Sequence, residues 1–489
     1  MKYIADLHIH SKYSRAVSRD MTIVKTWEWA KRKGIDLVST GDWTHPLWLR
    51  EIKTDLEEMG NGILQLKSKI PASPAGRQNP KSNNDNGPNF LLSTELSSIY
   101  SQGGKVRRIH NLVWVSSIAT AEKICHELTA KGCNLISDGR PILGLTSVQL
   151  AELIFSIDPT ALLIPAHIWT PWFSLYGSES GFDSIEECYG EFYKNIYAVE
   201  TGLSSDPAMN WRIKELDTRS ILSSSDAHSG PKLGREATVF EMEELSYEAI
   251  GEALTNGAMK QGNNETIKQS SDLSSTKYNR IAYTIEFYPE EGKYHWSGHR
   301  NCGVKQNPAE TAKKGTICPV CGKKLTIGVM HRVEQLAGRS EEELHITRGS
   351  CRSPDSVGIA SPTGIISKET DIKIIESDTF PLRPPYIMLV PLQEIIAEAF
   401  GTAPATQKVQ SEYQKLTSNF RGEFSVLIDT PVSDIVRVSS GKVAEAIQKV
   451  RTGNIVVDPG YDGVFGVVKI WGSVEEKKEE TKKEQMSLF

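Results

Sequence analysis

Alternating polar and apolar residues mark Tyr3 to Ser11 (YIADLHIHS) as an extended strand, with Asp6, His8 and His10 on one side and Leu7 and Ile9 on the other. Trp27 to Lys33 has helical spacing, Asp20 stands where an N-cap belongs, and Gly34 is placed to stop the helix. Ile35 to Thr40 (IDLVST) then predicts a buried strand running into Gly41-Asp42-Trp43-Thr44-His45. Phe90 to Ser93 predicts a short strand that delivers Glu95. His110 precedes the apolar run of RIHNLVWV, a position that equally suits a histidine satisfied within a sheet. Residues 147–157 have helical spacing, and Ala161 to Ala166 predicts a strand ending at His167. Ile196 to Val199 predicts another ending at Glu200, and Ser220 to Ser225 a last one ending at Asp226-Ala227-His228. Strands that repeatedly finish on polar, ligand-type side chains, with helices between them, are the pattern of an α/β barrel. A doubly wound open sheet gives a similar pattern, but the number of contributing strands favours the barrel.

Further along, the pattern is more broken. Residues 71–89 are rich in Pro, Asn, Ser and Gly and predict a mobile loop, and the polar stretch 262–278 predicts a linker. Residues 338–380 show little sustained periodicity and read as an insertion. Tyr386 to Phe400 predicts a strand and an amphipathic helix, and Lys442 to Arg451 a helix stopped by Gly453. Ile455 to Val457 and Val464 to Ile470 predict strands around the turn Pro459 to Gly463, closing a small α/β domain.

Composition adds bounds to this picture. At 489 residues the chain exceeds the size of one core, so two or three domains are expected. With 39% hydrophobic and 24% charged residues, no apolar run of membrane-spanning length and no signal-peptide segment, a cytoplasmic protein is expected. A net charge of −5 neither demands nor excludes nucleic acid, which needs only a local basic face. Lys31-Arg32-Lys33, Lys105 with Arg107 and Arg108, and Lys323-Lys324 are the candidates.

The chemistry lies in two groups of residues. His8, His10, His167 and His228, with Asp42, Glu95 and Asp226, form a set of imidazoles and carboxylates at strand ends that suits Zn²⁺, Mn²⁺ or Fe²⁺. At least two ions are expected, a pair able to hold and activate a hydroxide for in-line attack on a phosphoryl group. GxSxG and QACxG motifs are absent, so water is the expected nucleophile. Of the seven cysteines, Cys302, Cys318 and Cys321 group with histidines. His299-x2-Cys302, fifteen intervening residues and Cys318-x2-Cys321 have the spacing of a closed structural zinc site, with His295 outside the ligand set.

The motifs DLHIHS, GDWTH, Glu95, His110, PAH at 165–167 and SDAH at 225–228 resemble those of the PHP (polymerase and histidinol phosphatase) superfamily. That resemblance implies a distorted (β/α)7 barrel with three metals: the first on His8, His10, Glu95 and Asp226, the second sharing Glu95 with His110 and His167. The third would take His228, with Asp42 and His45 as partners, because the usual Asp-His pair is here Asp42-Trp43. With KYHWSGHRNC, CPVCGKKLTIGV, RPPYIMLVPLQEII and VDPGYDGVFG added, the chain resembles the endonuclease Q family, in which a Cys usually stands at the position of His299. This implies a barrel at 1–261, a zinc module at 279–337, the insertion at 338–380, an α/β domain at 381–472 and a flexible tail at 473–489.

The resemblance further implies an endodeoxyribonuclease that nicks DNA on the 5′ side of deoxyuridine, deoxyinosine and abasic sites, leaving a 3′-hydroxyl and a 5′-phosphate. Asp226, Glu95 and His228 would be catalytic, with two or three divalent ions (Zn, Mn or Mg) in the barrel and one structural zinc. Trp43, Trp48, Trp169 and Trp172 stand beside the ligands and are candidates for stacking on an extruded base. QMSLF at 485–489 resembles the pentapeptide that binds the bacterial sliding clamp, with Gln485, Leu488 and Phe489 as anchors and PCNA as the second choice. Damaged DNA and a clamp are thus the expected partners, at the nucleoid. The alternatives are a phosphomonoesterase of the histidinol phosphatase kind and a non-catalytic, clamp-tethered DNA-binding scaffold.

Overall fold

The computed structural model describes residues 1–68, 87–262, 279–350 and 370–472. The chain divides into two compact units, the first made of Met1–Ala166, Ser184–Glu200 and Thr218–Ala282, the second of His167–Asp183, Thr201–Asp217 and Tyr283–Phe489. Both mix helices and strands.

The first unit is built on a mixed sheet. β1 (Lys2–Asp6) runs parallel to β2 (Leu37–Ser39), and β2 parallel to β5 (Asn89–Gln102), with the hairpin β3 (Leu56–Glu58) and β4 (Leu64–Leu66) on the edge of β5. β5 turns through Gly103 and Gly104 into β6 (Lys105–Val115), which pairs in turn with β8 (Leu162–Pro165). β7 (Ile142–Leu143) pairs with β5, β9 (Ala198–Glu200) with β10 (Ser220–Leu222), and β11 (Ala237–Glu241) lies antiparallel to β1. The apolar halves of these strands meet in one core that includes Leu7, Leu37, Leu91, Leu112, Ile164, Ala198 and Leu222. Each leucine or isoleucine among them contributes about 1.5–3 kcal/mol by leaving water.

Helix Ile23–Lys33 follows β1, capped by Thr22 rather than Asp20, whose hydroxyl accepts from Lys25 N–H, and stopped by left-handed Gly34. Helix Ser147–Ile157 begins with a capping box between Thr146 and Gln149.

One departure from the sequence reading matters for the site. The strand expected to stop at Ser93 continues to Gln102, and the Gly103-Gly104 turn, with φ of 61° and 73°, returns the chain directly as β6, which pairs with it along its length. Glu95 and His110 therefore project from the middle of paired strands, Glu95 opposite Leu112 and His110 opposite Ser97. Antiparallel partners on one face stand close enough for their side chains to meet.

The chain enters the second unit within β12 (Arg280–Glu286), and that unit holds the hairpin β13 (Ser297–His299) and β14 (Val304–Gln306), and β15 (Ile346–Ser350), β16 (Lys373–Ser377) and β17 (Tyr386–Met388). β15, β16, β17 and β12 pair in that order, so both ends of the presumed insertion 338–380 are strands. Beyond them the segment of the expected α/β domain carries more helix than the sequence pattern marked: Leu392–Phe400, Gln407–Asn419, a π-helical turn at Ser425–Asp429, Val432–Val438 and Gly441–Arg451. β18 (Val456–Asp458) and β19 (Val467–Lys469) follow as a hairpin.

Two buried charges tie the helices together. Glu423 accepts from Leu392 N–H at the start of one helix and from the Tyr413 hydroxyl of the next. Arg451 donates to the carbonyls of Val426, Leu427 and Thr430, paying for its burial with charge-assisted bonds. No helix among the described residues is long and apolar enough to cross a membrane. The loop at 71–86, the linker at 263–278 and the QMSLF tail lie outside the described residues.

Candidate metal centre

β1 ends at Asp6, and His8 and His10 lie beyond it on either side of Ile9, which bridges to Ala227. Asp6 itself turns away from them, since its carboxylate accepts from Ser225 N–H and Oγ and from Gly234 N–H at 2.6–3.0 Å. His8 and His10 point together instead, ring centroids 5.3 Å apart, and both are buried. Glu95 from β5 reaches them, with Oε1 3.8 Å from His8 Nε2 and Oε2 3.4 Å from His10 Nε2. His110 from β6 sits 2.6 Å from the same carboxylate. Asp226, held at φ 47° after β10, places Oδ1 3.0 Å from His10 Nε2 and 3.7 Å from His8 Nε2. His228, with Nδ1 3.6 Å from that oxygen, completes the group.

Behind the two imidazoles stand two carboxylates. Glu200, at the end of β9, lies 3.0 and 3.1 Å from His8 Nδ1, and Asp42 lies 3.0 Å from His10 Nδ1. A carboxylate accepting from Nδ1–H fixes the ring and leaves Nε2 as the ligand atom. Asp42 is itself held by Ser11 N–H, Ser11 Oγ and Ser14 Oγ at 2.6–2.9 Å.

The electrostatics follow from this packing. Burial opposes charge on His8 and His10, but the surrounding carboxylates outweigh it, raising His8 well above its ordinary value and His10 to about 9. Burial likewise opposes charge on Asp226, and the facing imidazoles overcome it and hold the carboxyl below its ordinary range. In His228 burial prevails and lowers the ring's pKa. A cation held at Nε2 needs that nitrogen unprotonated, so protons and metal compete for these rings.

The residues fit divalent ions. His10 Nε2 and Asp226 Oδ1 are buried, 3.0 Å apart and without well-formed hydrogen-bond geometry, as a pair of ligands without its ion would be. Within each of the sets His8/His10/Glu95 and His10/Asp226/His228, one ligand atom per residue lies within 4.8 Å of the others. Nitrogen and carboxylate donors in this mixture suit Zn²⁺ or Mn²⁺.

A second group lies in the other unit. His299, Cys302, Cys318 and Cys321 bring their ligand atoms within 4.8 Å of one another, with Cys321 Sγ 3.4 Å from His299 Nδ1. The cysteines are free thiols. Backbone N–H groups of Cys321 and Val320 overcome the opposing effect of burial and bring Cys318 down to about 6, toward the thiolate a metal needs. Three sulfurs and one nitrogen at this separation fit a closed tetrahedral zinc. His295 stays outside the set, as expected, buried with its pKa lowered by burial to about 4.

Comparison with known proteins places both groups in context. A family model described as the MJ0043 C-terminal domain matches residues 391–454, the helical part of the second unit. The uncharacterized protein MJ0043 of Methanocaldococcus jannaschii is 32% identical over 322 residues, 65% of this chain, which spans only 33% of that relative's length. The lesion-specific endonuclease PfuEndoQ of Pyrococcus furiosus superimposes with a TM-score of 0.72 at 28% identity, covering 98% of this chain and 99% of that one. Endonuclease Q bound to a 27-mer duplex with an abasic lesion at the active site gives 0.71 at 29% identity, covering 97% and 100%. The chain is a relative of endonuclease Q.

Several residues expected to serve an endonuclease Q site lie elsewhere than the sequence suggested. Asp42 stands behind His10, and His45 is spent on the Ile136 carbonyl, 3.2 Å from Nε2, and on a stack with Tyr13. The cause is local: Gly41 and Asp42 take positive φ, Trp48 pins that turn through the carbonyls of Thr40 and Gly41, and a helix begins at Pro46. Trp43, Trp48 and Trp169 are at most 1% exposed and are core, so none offers a face to a base; Trp169 donates to Asn210. Trp172 is half-buried and meets Tyr294 edge-on.

His167 directly follows Ala166, where the chain passes from one unit to the other. Its backbone lies so close to Gly202 that a Cβ there would come within 2.3 Å of the His167 Cβ. Two contributors escaped the sequence reading. Glu200 was visible as a carboxylate ending a strand, though not as the partner of His8. Arg140, 3.3 Å from Glu95, sits in a loop with no motif to announce it.

Proposed function

We propose that this chain is a metal-dependent repair endonuclease that nicks DNA on the 5′ side of deaminated bases and abasic sites. The observation that carries the reading is the cluster of His8, His10, Glu95, His110, Asp226 and His228, in a chain similar over its whole length to endonuclease Q. His167, the residue after β8, is proposed as the further ligand that the PHP resemblance implies. Two or three divalent ions held there would lower the pKa of a water molecule and neutralise the phosphodiester it attacks.

The chain's own groups have distinct tasks. Glu200 and Asp42 keep His8 and His10 in one tautomer and one orientation. Glu95, which meets three imidazoles, and Asp226, on the side toward His228, would be the carboxylate ligands. Attack at phosphorus 5′ of the lesion leaves a 3′-hydroxyl and a 5′-phosphate. A uracil, a hypoxanthine or a missing base costs less to unstack than a paired base, which supplies part of the selectivity.

On this reading the first unit is a PHP-type (β/α)7 barrel, His299, Cys302, Cys318 and Cys321 hold a structural zinc, and residues 485–489 bind a sliding clamp. The test is incubation of metal-loaded protein with duplexes carrying uracil, hypoxanthine, an abasic site or no lesion, beside p-nitrophenyl phosphate. Nicks immediately 5′ of the lesions support the reading. Hydrolysis of the small phosphate with every duplex left intact means a phosphomonoesterase. Deleting residues 485–489 is expected to abolish clamp binding and leave nicking of short duplexes unchanged; loss of both contradicts a tail function.

A further inference from the structure

The segment between helix Ile118–Ala130 and β7 is irregular, yet it is fastened to the metal centre along its length. The Ile136 carbonyl meets His45 Nε2 at 3.2 Å, and Gly139 N–H donates to the Tyr13 carbonyl at 3.0 Å. Gly139 is pressed so close that a Cβ there would lie 2.4 Å from Asp42 Oδ2. Asp138 is held by Arg15 and accepts from Arg140 N–H, and Ser97 N–H donates to the Pro141 carbonyl. This much anchoring fixes one side chain, that of Arg140, against the cluster.

Its guanidinium donates to Glu95 at 3.3 Å, and among the described residues that is its one hydrogen bond. The side chain remains 23% exposed, and Ile136 and Ile142 on either side are 63% and 60% exposed, so this flank of the centre is open. A guanidinium carries five donors in a planar fork that matches phosphate oxygens.

We propose that Arg140 grips the phosphate on which the centre acts, lending Glu95 one donor and the phosphate the others. This deepens the nuclease reading and rests on it for the identity of the substrate. Arg140 would be a catalytic residue in that it touches the reacting phosphate, with the effect of a donor aimed where charge accumulates.

The test measures binding of inorganic phosphate to the manganese-loaded full chain by calorimetry, with metal content determined on the same samples. Arg140→Ala is expected to weaken phosphate at least tenfold with metal content unchanged, and to lower kcat/KM on an abasic duplex about 100-fold. Arg140→Lys, which keeps the charge without the fork, should recover part of both. Lys131→Ala, removing an exposed cation at the end of helix Ile118–Ala130, should stay within twofold.

Unchanged phosphate binding in Arg140→Ala overturns the proposal, and so does loss of metal, which would make Arg140 a prop for Glu95. Should Arg140→Ala fail to fold, Arg140→Lys decides, and wild-type phosphate affinity in it is the overturning result. If the wild type nicks no lesion but its phosphate binding still depends on Arg140, the nuclease reading fails and this assignment stands.

Discussion

The two ligand groups of this chain are assembled in opposite ways. His8, His10, Glu95, His110, Asp226 and His228 come from distant strands and turns, and two of them, His8 and His10, are backed by a carboxylate. His299, Cys302, Cys318 and Cys321 come from one short stretch around a small hairpin, and Cys321 is exposed beside Val320, itself 68% exposed. The first group has the fold behind it, its members standing on separate strands and turns. The second has little apolar surface to close over it, so an ion in it would act as its core. A site built by the fold can spend coordination on chemistry, whereas a site that builds the fold is closed.

The sharpest way to break this contrast is to remove one carboxylate from the first group. Asp226→Asn should reduce nicking by about a thousandfold or more with little change in thermal stability, read by gel assay and calorimetry. A variant that unfolds instead would mean the cluster is a structural staple. The reverse is expected of Cys318→Ser, which should lose the zinc of the second unit and lower the melting temperature by many degrees while metal at the first group persists. Unchanged stability would remove the structural role.

Asp42→Asn separates supporter from ligand. A residue behind His10 should cost about 10–100-fold in metal affinity without lowering the number of ions bound at saturation, measured by titration with Mn²⁺. Loss of one ion outright would restore Asp42 to the ligand set.

The smallest effect concerns an isolated charge in the second unit. Burial pushes Glu290 from 4.5 up to about 7. In the folded chain it holds a proton that the unfolded chain releases between those values, so stability falls as pH rises through that window. Below about 4.5 the penalty is absent. Glu290→Gln should therefore raise the melting temperature by a few degrees at pH 8 and leave it unchanged at pH 4.5; an equal gain at both would contradict the titration.

The sequence carried the parts that depend on local pattern. The strand that begins YIAD and the helical spacing of residues 147–157 are local signals, and the Cys-x2-Cys spacing needs only its own turn, whereas the strand expected through Ser11 ends at Asp6, whose carboxylate turns to Ser225 and Gly234. What it did not carry depends on long-range geometry. Whether Asp42 is a ligand or a support turns on positive φ at Gly41 and Asp42, which composition does not reveal. Burial of Trp43 and Trp169 depends on what packs over them. Helix Gln407–Asn419 is mostly polar and shows its buried face only through Val409, Tyr413 and Leu416, a spacing masked by its surroundings.

The central claim is that side chains far apart in sequence hold several ions about one point. Crystals soaked in Mn²⁺ and measured at the manganese edge test it most directly. At least two anomalous peaks bounded by His8, His10, Glu95, His110, Asp226 and His228 are predicted, separate from a zinc peak at Cys318. A single peak there, or none under saturating metal, would contradict the account.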